Sequence, residues 1–282
     1  MISTFVRRVV FFCLVAILAL TGSAAAQDYW MYPGGMNSVS LQIFKPSLAE
    51  HSSNYGFLTS TWVVSTRIDA GANQAFFFSI PVSNAVLDYE WGYLDHSVKQ
   101  TAIGNPYIGF EFGSRDTLRT VRPLGRVGFR LPIASDEKGR AAGIGIETLY
   151  NSFESMIAKL WTIQVGMGVD LVSQTGLTGS INVDVATMIP NEGGDSEVLG
   201  NFGLTLTYAS QGFSGSIGYA GRVWLSEGDM SLSERTVDQL GFEVGYRIGS
   251  FRPGAHFRLP LDKGWSDEID NIYGLSLTYF VK

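Results

Sequence analysis

The chain has 282 residues, a net charge of −6 and 16% charged side chains against 45% hydrophobic ones. The acidic balance argues against a nucleic-acid partner, and the charged fraction falls well below the roughly 25% of ordinary soluble proteins. The one cysteine, Cys13, lies near the N-terminus, so the rest of the chain has no disulfides, thiolate nucleophiles or cysteine metal sites.

Residues 1–26 read as an export signal. Arg7 and Arg8 precede the apolar run 9–20, and Ala24-Ala25-Ala26 offers a small-residue cleavage site. The run is too short for a transmembrane helix, which takes about 20 residues, and no later window resembles one. A single domain is therefore expected over 27–282. Within it, apolar and polar residues alternate in twelve segments: 37–46, 56–68, 74–83, 103–113, 122–132, 160–172, 176–188, 201–210, 213–225, 238–248, 251–260 and 271–281. Alternation with a period of two marks strands with one apolar and one polar face. In LWTIQVGMGVDL (160–171), Trp161, Ile163, Val165, Met167, Val169 and Leu171 share one face.

A soluble sandwich would bury that apolar face, and a membrane barrel would turn it to lipid. Segment length favours the barrel, because a tilted membrane strand needs about 9–11 residues. The connections agree: after the first strand, long ones (47–55, 84–102, 133–159, 189–200, 226–237, 261–270) alternate with short ones (69–73, 114–121, 173–175, 211–212, 249–250). Outer-membrane barrels have this asymmetry. Gly249-Ser250 reads as a two-residue hairpin that sets Gly245 opposite Gly254 and Glu243 opposite His256. The fold class predicted is all-β, a single antiparallel transmembrane barrel of about twelve strands with one short helix in a long outer loop.

The polar face then lines the lumen. It carries Arg67, Glu111, Arg126, Arg130, Asp170, Asp184, Arg222, Glu243, Arg247, Arg252, His256 and Arg258. Arg126 and Arg130, four apart on one strand, lie about 13 Å from each other. Two readings stay open: an arginine ladder that guides polar or anionic solutes, and a bracing network in which the arginines pair with carboxylates, Glu111 with Arg126 among them. In the long loop, IETLYNSFESMIAK (146–159) breaks the period of two. Leu149, Phe153 and Ile157 recur every four residues, which predicts a helix that constricts the barrel mouth or lies on its rim.

An enzyme reading finds little to build on in the histidines. Some outer-membrane barrels hydrolyse lipid with a Ser–His pair, but only His256 of the three histidines lies on a predicted strand, facing the lumen beside Glu243. Histidine spacing offers no zinc site. The acidic tip Asn191, Glu192, Gly193, Gly194 and Asp195 reads as a solvated loop or a weak calcium contact. The pattern calls for no catalytic residue, metal or cofactor.

GNPYIGFEFG (104–113), FRLPIAS (129–135) and GLSLTYFV (274–281) resemble porin-like outer-membrane barrels of Gram-negative bacteria, of the phenol-degradation-pathway transporter type. The last strand approximates an assembly signal, with Gly274, Leu277 and Tyr279, though the chain ends in Val-Lys rather than Phe. The resemblance implies passive passage of small solutes through a narrow charged lumen. Outer-membrane lipids and the barrel-assembly machinery are the other expected partners, and the cell outer membrane is the expected location. The alternatives are a structural or adhesive barrel acting through its loops, or an outer-leaflet lipid-modifying enzyme.

Overall fold

The computed structural model describes residues 37–48, 58–71, 73–91, 94–113, 120–226, 231, 234–266 and 269–281. The expected export signal and His51 lie outside the described residues. Thirteen strands follow in order: β1 (Ser38–Leu48), β2 (Ser60–Gly71), β3 (Gln74–Trp91), β4 (Leu94–Ile103), β5 (Tyr107–Gly113), β6 (Val121–Arg130), β7 (Leu160–Val172), β8 (Leu177–Pro190), β9 (Glu197–Ser210), β10 (Phe213–Trp224), β11 (Thr236–Tyr246), β12 (Phe251–Pro260) and β13 (Ile269–Phe280). Each pairs antiparallel with its neighbours, and β1 pairs with both β2 and β13, which closes the ring. β4 and β5 both pair with β3, above and below a break at Gly104-Asn105-Pro106, so they act as one stave. The result is a closed barrel of twelve staves.

Lipid-compatible and lumen-facing residues alternate along every stave. Trp161, Ile163, Val165, Phe242, Val244 and Tyr246 are exposed on the outer skin, whereas Arg126, Glu243 and Arg252 are buried inside. That is the reverse of a soluble sandwich, and it follows from the solvent: an apolar skin is stable only against lipid, and pairing of β1 with β13 closes the wall on itself. The predicted hairpin register holds residue for residue. Gly245 faces Gly254, Glu243 faces His256, and Ile248 bridges Phe251. Gly249 takes φ of 61°, the left-handed conformation that such a turn needs.

Two elements differ from expectation. The predicted loop 84–102 is mostly a hairpin, with Val82–Trp91 paired to Leu94–Ile103. Thr59 Oγ1 bonds both the N–H and the carbonyl of Val86, and Ala85 and Ala102 of the hairpin turn inward onto the docked helix. The predicted helix over 146–159 begins and ends earlier. A single 3₁₀ turn (Asp136–Lys138) leads into helix α1 (Gly139–Thr148), and a second 3₁₀ stretch (Tyr150–Ser155) is kinked at Ser152. Small residues explain the shift. Ala141 and Gly145 are poor apolar markers in sequence, yet they let α1 pack beside Ala85, Ala102 and Met156.

Candidate functional site: a charged lumen with a docked segment

Among the described residues, strand register assembles three charged groups on the lumen wall. In the first, β2, β3, β5 and β6 bring Arg67, Phe77, Glu111 and Arg126 side by side, because Arg67 pairs with Phe77 and Glu111 with Arg126. One Glu111 oxygen accepts from Arg67 at 3.4 Å and the other from Arg126 at 3.1 Å. The Phe77 ring lies against both guanidiniums, at 5.1 Å from Arg67 and 4.5 Å from Arg126. Arg67 also reaches Asp69 at 3.1 Å.

The second group lies on β7 to β10. Asp184 accepts from Gln164 Nε2 at 2.9 Å and from Asn201 Nδ2 at 2.5 Å, and Asn201 Oδ1 accepts from Arg222 Nε at 2.5 Å. In the third, Arg252 donates to Glu243 at 2.7 Å and to Ser214 Oγ at 2.8 and 3.0 Å. His256 is opposite Glu243 in register and packs on Phe44 at 4.6 Å, and Arg258 covers the same ring at 4.4 Å. Asp170 is half-buried nearer the short-turn end and accepts from Ser180 Oγ at 2.7 Å. Arg247 stands at the end of the lining. β11 ends at Tyr246, so Arg247 belongs to the turn, where it is exposed at the rim over Phe280 and donates to the Gly249 carbonyl.

Residues 131–159 fold into the long-loop mouth. Their apolar side chains go to different walls rather than to one helix face. Leu149 joins Phe44, Val63, Val237, Trp265, Ile269 and Ile272, while Phe153 joins Leu160, Ala186, Met188 and Leu199, with Ile157 beside that cluster. Tyr150 stacks on Trp265 at 4.1 Å and Phe153 on Trp224 at 5.7 Å. Such burial is non-directional and scales with apolar area.

Polar ties set the position of the segment. Asn105, at the break between β4 and β5, donates through Nδ2 to the carbonyls of Glu154, Ile157 and Leu160 at 3.1, 2.7 and 3.4 Å. Its Oδ1 accepts from Ala134 N–H at 2.8 Å, so one side chain gathers both ends of the segment. Gly104 leaves room for the Ser155 carbonyl and the Met156 side chain, which a Cβ there would strike. Thr148 Oγ1 bonds Thr61 Oγ1 at 2.5 Å, and Thr61 donates on to Ser83 at 3.1 Å.

The deepest tie is ionic. Glu154, 1% exposed, receives Arg130 Nε on one oxygen at 3.1 Å and Arg222 Nη1 on the other at 2.7 Å. Burial opposes its ionisation, but the two guanidiniums and the Arg222 hydrogen bond outweigh it and hold the carboxyl below the usual range. Tyr107 lies under Arg130, its ring 5.4 Å from that guanidinium and pressed over Gly109 and Gly128. At the rim, exposed Lys159 meets Asp136 and Glu192, contacts of small energetic weight in solvent. Among the described residues no group of His, Cys, Asp and Glu is arranged to hold a metal ion.

Sequence reasoning missed Glu154, Asn105 and Tyr107. A signal for Glu154 was present, since interior arginines demand buried anions and this carboxylate sits within the apolar repeat of the long loop. Asn-Pro after a glycine marked an interruption in a strand, but not what the interruption docks.

No family model and no curated protein sequence matches the chain. Solved structures do. The COG4313 outer membrane channel from Pseudomonas putida F1 superposes with a TM-score of 0.58 at 10% identity, over 92% of this chain and 100% of that one. The NanC porin matches with a TM-score of 0.49 at 8% identity, over 87% of this chain and 100% of that one. LpxR from Salmonella typhimurium matches at 0.46 and 13% identity, over 86% of this chain and 100% of that one. At such identities the likeness is one of fold, and the fold is that of outer-membrane β-barrel proteins.

Proposed function

We propose that the protein is an outer-membrane channel for the passive passage of small solutes, closed at rest by residues 131–159. The observation that carries this reading is a bore lined with arginines and carboxylates inside an apolar cylinder, stopped at one mouth by a segment of the same chain. Twelve staves give a bore between the side-chain-filled eight-stranded barrel and the open sixteen-stranded porin, narrow enough for one short segment to stop.

The export signal at 1–26 would deliver the chain, the barrel-assembly machinery would insert it, and outer-membrane lipids would surround its skin. Long loops would then face outward and both termini the periplasm. A non-enzymatic role fits His256, which packs on Phe44 in the lumen, away from the lipid that a hydrolase would need to reach. The adhesive alternative draws support from the β3–β4 hairpin, whose strands stay paired out to Trp91 and Leu94.

Planar-bilayer conductance of the refolded protein, with and without residues 140–158, tests the proposal. The expected result is a small, intermittent current for the full chain and a large steady one for the deletion. Absence of current from both refutes the channel.

A further inference from the structure

We propose that Arg130 and Arg222 form a carboxylate-binding site in the lumen, that Glu154 occupies it as a built-in surrogate, and that a small carboxylate-bearing solute displaces Glu154 and with it the docked segment. This rests on the channel reading and names the class of its cargo.

The geometry is that of a receptor for a planar, two-oxygen group. Arg130 stands on β6 and Arg222 on β10, and each takes one oxygen of the same carboxylate. Such charge-assisted bonds are the strong ones, and guanidinium forks are suited to carboxylates. The wall holds each fork in part, although Arg222 also donates through Nη2 to the Asn151 carbonyl and covers the Phe153 ring of the docked segment. Asn201 Oδ1 accepts from Arg222 Nε, and the Tyr107 ring lies beneath Arg130. When residues 131–159 leave, these wall groups stay.

Charge balance makes the vacated site an anion site. Among the described residues the wall carries the buried arginines Arg67, Arg126, Arg130, Arg222, Arg252 and Arg258 against the carboxylates Asp69, Glu111, Asp170, Asp184 and Glu243, so without Glu154 the arginines remain in excess. Glu154 comes from the docked segment, so undocking removes an anion from between two guanidiniums and opens both to solutes in the bore. A solute carboxylate supplies the missing charge with the same two-oxygen geometry. A ligand that binds only the undocked state shifts the population toward it by its differential affinity. Closure and recognition are thus one contact used in two ways.

The test titrates the refolded full chain with succinate by calorimetry, with inorganic phosphate and chloride arms at equal ionic strength. Heat modifiability of each variant reports that the barrel is folded. Succinate should bind the wild type, and Glu154→Gln should bind it with a half-saturation lower by about tenfold or more, because the internal competitor has gone. Adding Arg130→Gln and Arg222→Gln to that variant should abolish binding. Equal affinity in wild type and Glu154→Gln, or binding that survives loss of both arginines, overturns the site. Phosphate or chloride binding as tightly as succinate overturns the carboxylate assignment. Calorimetry needs no current. A conducting protein that binds no succinate removes the site alone, whereas tight succinate binding with no current from either the full chain or the 140–158 deletion removes the channel reading.

Discussion

Asn105→Ala should undock residues 131–159 without unfolding the barrel. The asparagine amide shares its two hydrogens among three carbonyls and accepts one further bond from Ala134 N–H. That is about three hydrogen bonds' worth of net stabilisation at roughly 1 kcal/mol each. Truncation also leaves the buried Ala134 N–H without this partner, which adds to the loss. A shift of about 3 kcal/mol changes the docked-to-undocked ratio by about 100-fold. Chymotrypsin provides the assay, since Leu149 and Phe153 are buried when docked and reachable when undocked. If opening and closing are fast relative to cleavage, the nicking rate follows the undocked population, so the variant should be cut about 100-fold faster while its heat-modifiable band stays intact. A nicking rate equal to that of the wild type would show that Asn105 is a bystander and that apolar packing alone holds the segment.

The Glu154 latch sets a pH dependence of definite sign. Its carboxyl is held below the ordinary value of 4.5, so its contribution to docking is complete above that pH and is lost only as pH falls through the depressed value. Nicking should be flat from pH 7 to 4.5 and rise below it, and Glu154→Gln should remove that step; a rise centred near pH 6 would assign the transition to another group. Gly128→Ala would place a Cβ inside the Tyr107 ring, and overpacking of this kind costs about 1–3 kcal/mol, to be read as a lower denaturant midpoint for loss of the folded band. Val165→Arg puts a charge on the exposed face near the middle of β7. Near the bilayer midplane this should cost about 2–4 kcal/mol in lipid-vesicle refolding titrations, and a loss below 1 kcal/mol would contradict a lipid-facing skin.

The barrel wall was largely legible in the sequence because its constraint is local. Lipid on one side and a polar bore on the other force a period of two, and that pattern survives in single strands such as Leu160–Val172. Gly249 fixed a register that carried Glu243 to His256. Arg247 has the parity of the lumen face and stands one residue past the end of its strand, over the buried Phe280 ring. The docked segment was less legible because its constraint is tertiary. Leu149, Phe153 and Ile157 have the spacing of one helix face, yet they are recruited by separate wall clusters, which the kink at Ser152 permits. A one-dimensional pattern does not distinguish apolar residues that share a face from apolar residues that share a cavity.

The two kinds of contact in the mouth do different work. Apolar burial of Leu149, Tyr150 and Phe153 gives the segment affinity for the mouth, but a greasy surface accepts many poses at similar energy. Asn105 and the Arg130–Glu154–Arg222 seat are directional, and each leaves expensive unpaired groups if the segment shifts by an ångström or two. Position therefore comes from the polar ties and strength from the aromatic packing. A segment fixed by a few brittle contacts over a broad non-specific one is suited to release as a unit, because weakening the polar ties removes the single preferred pose while the barrel, closed by its own backbone ladder, is left unchanged.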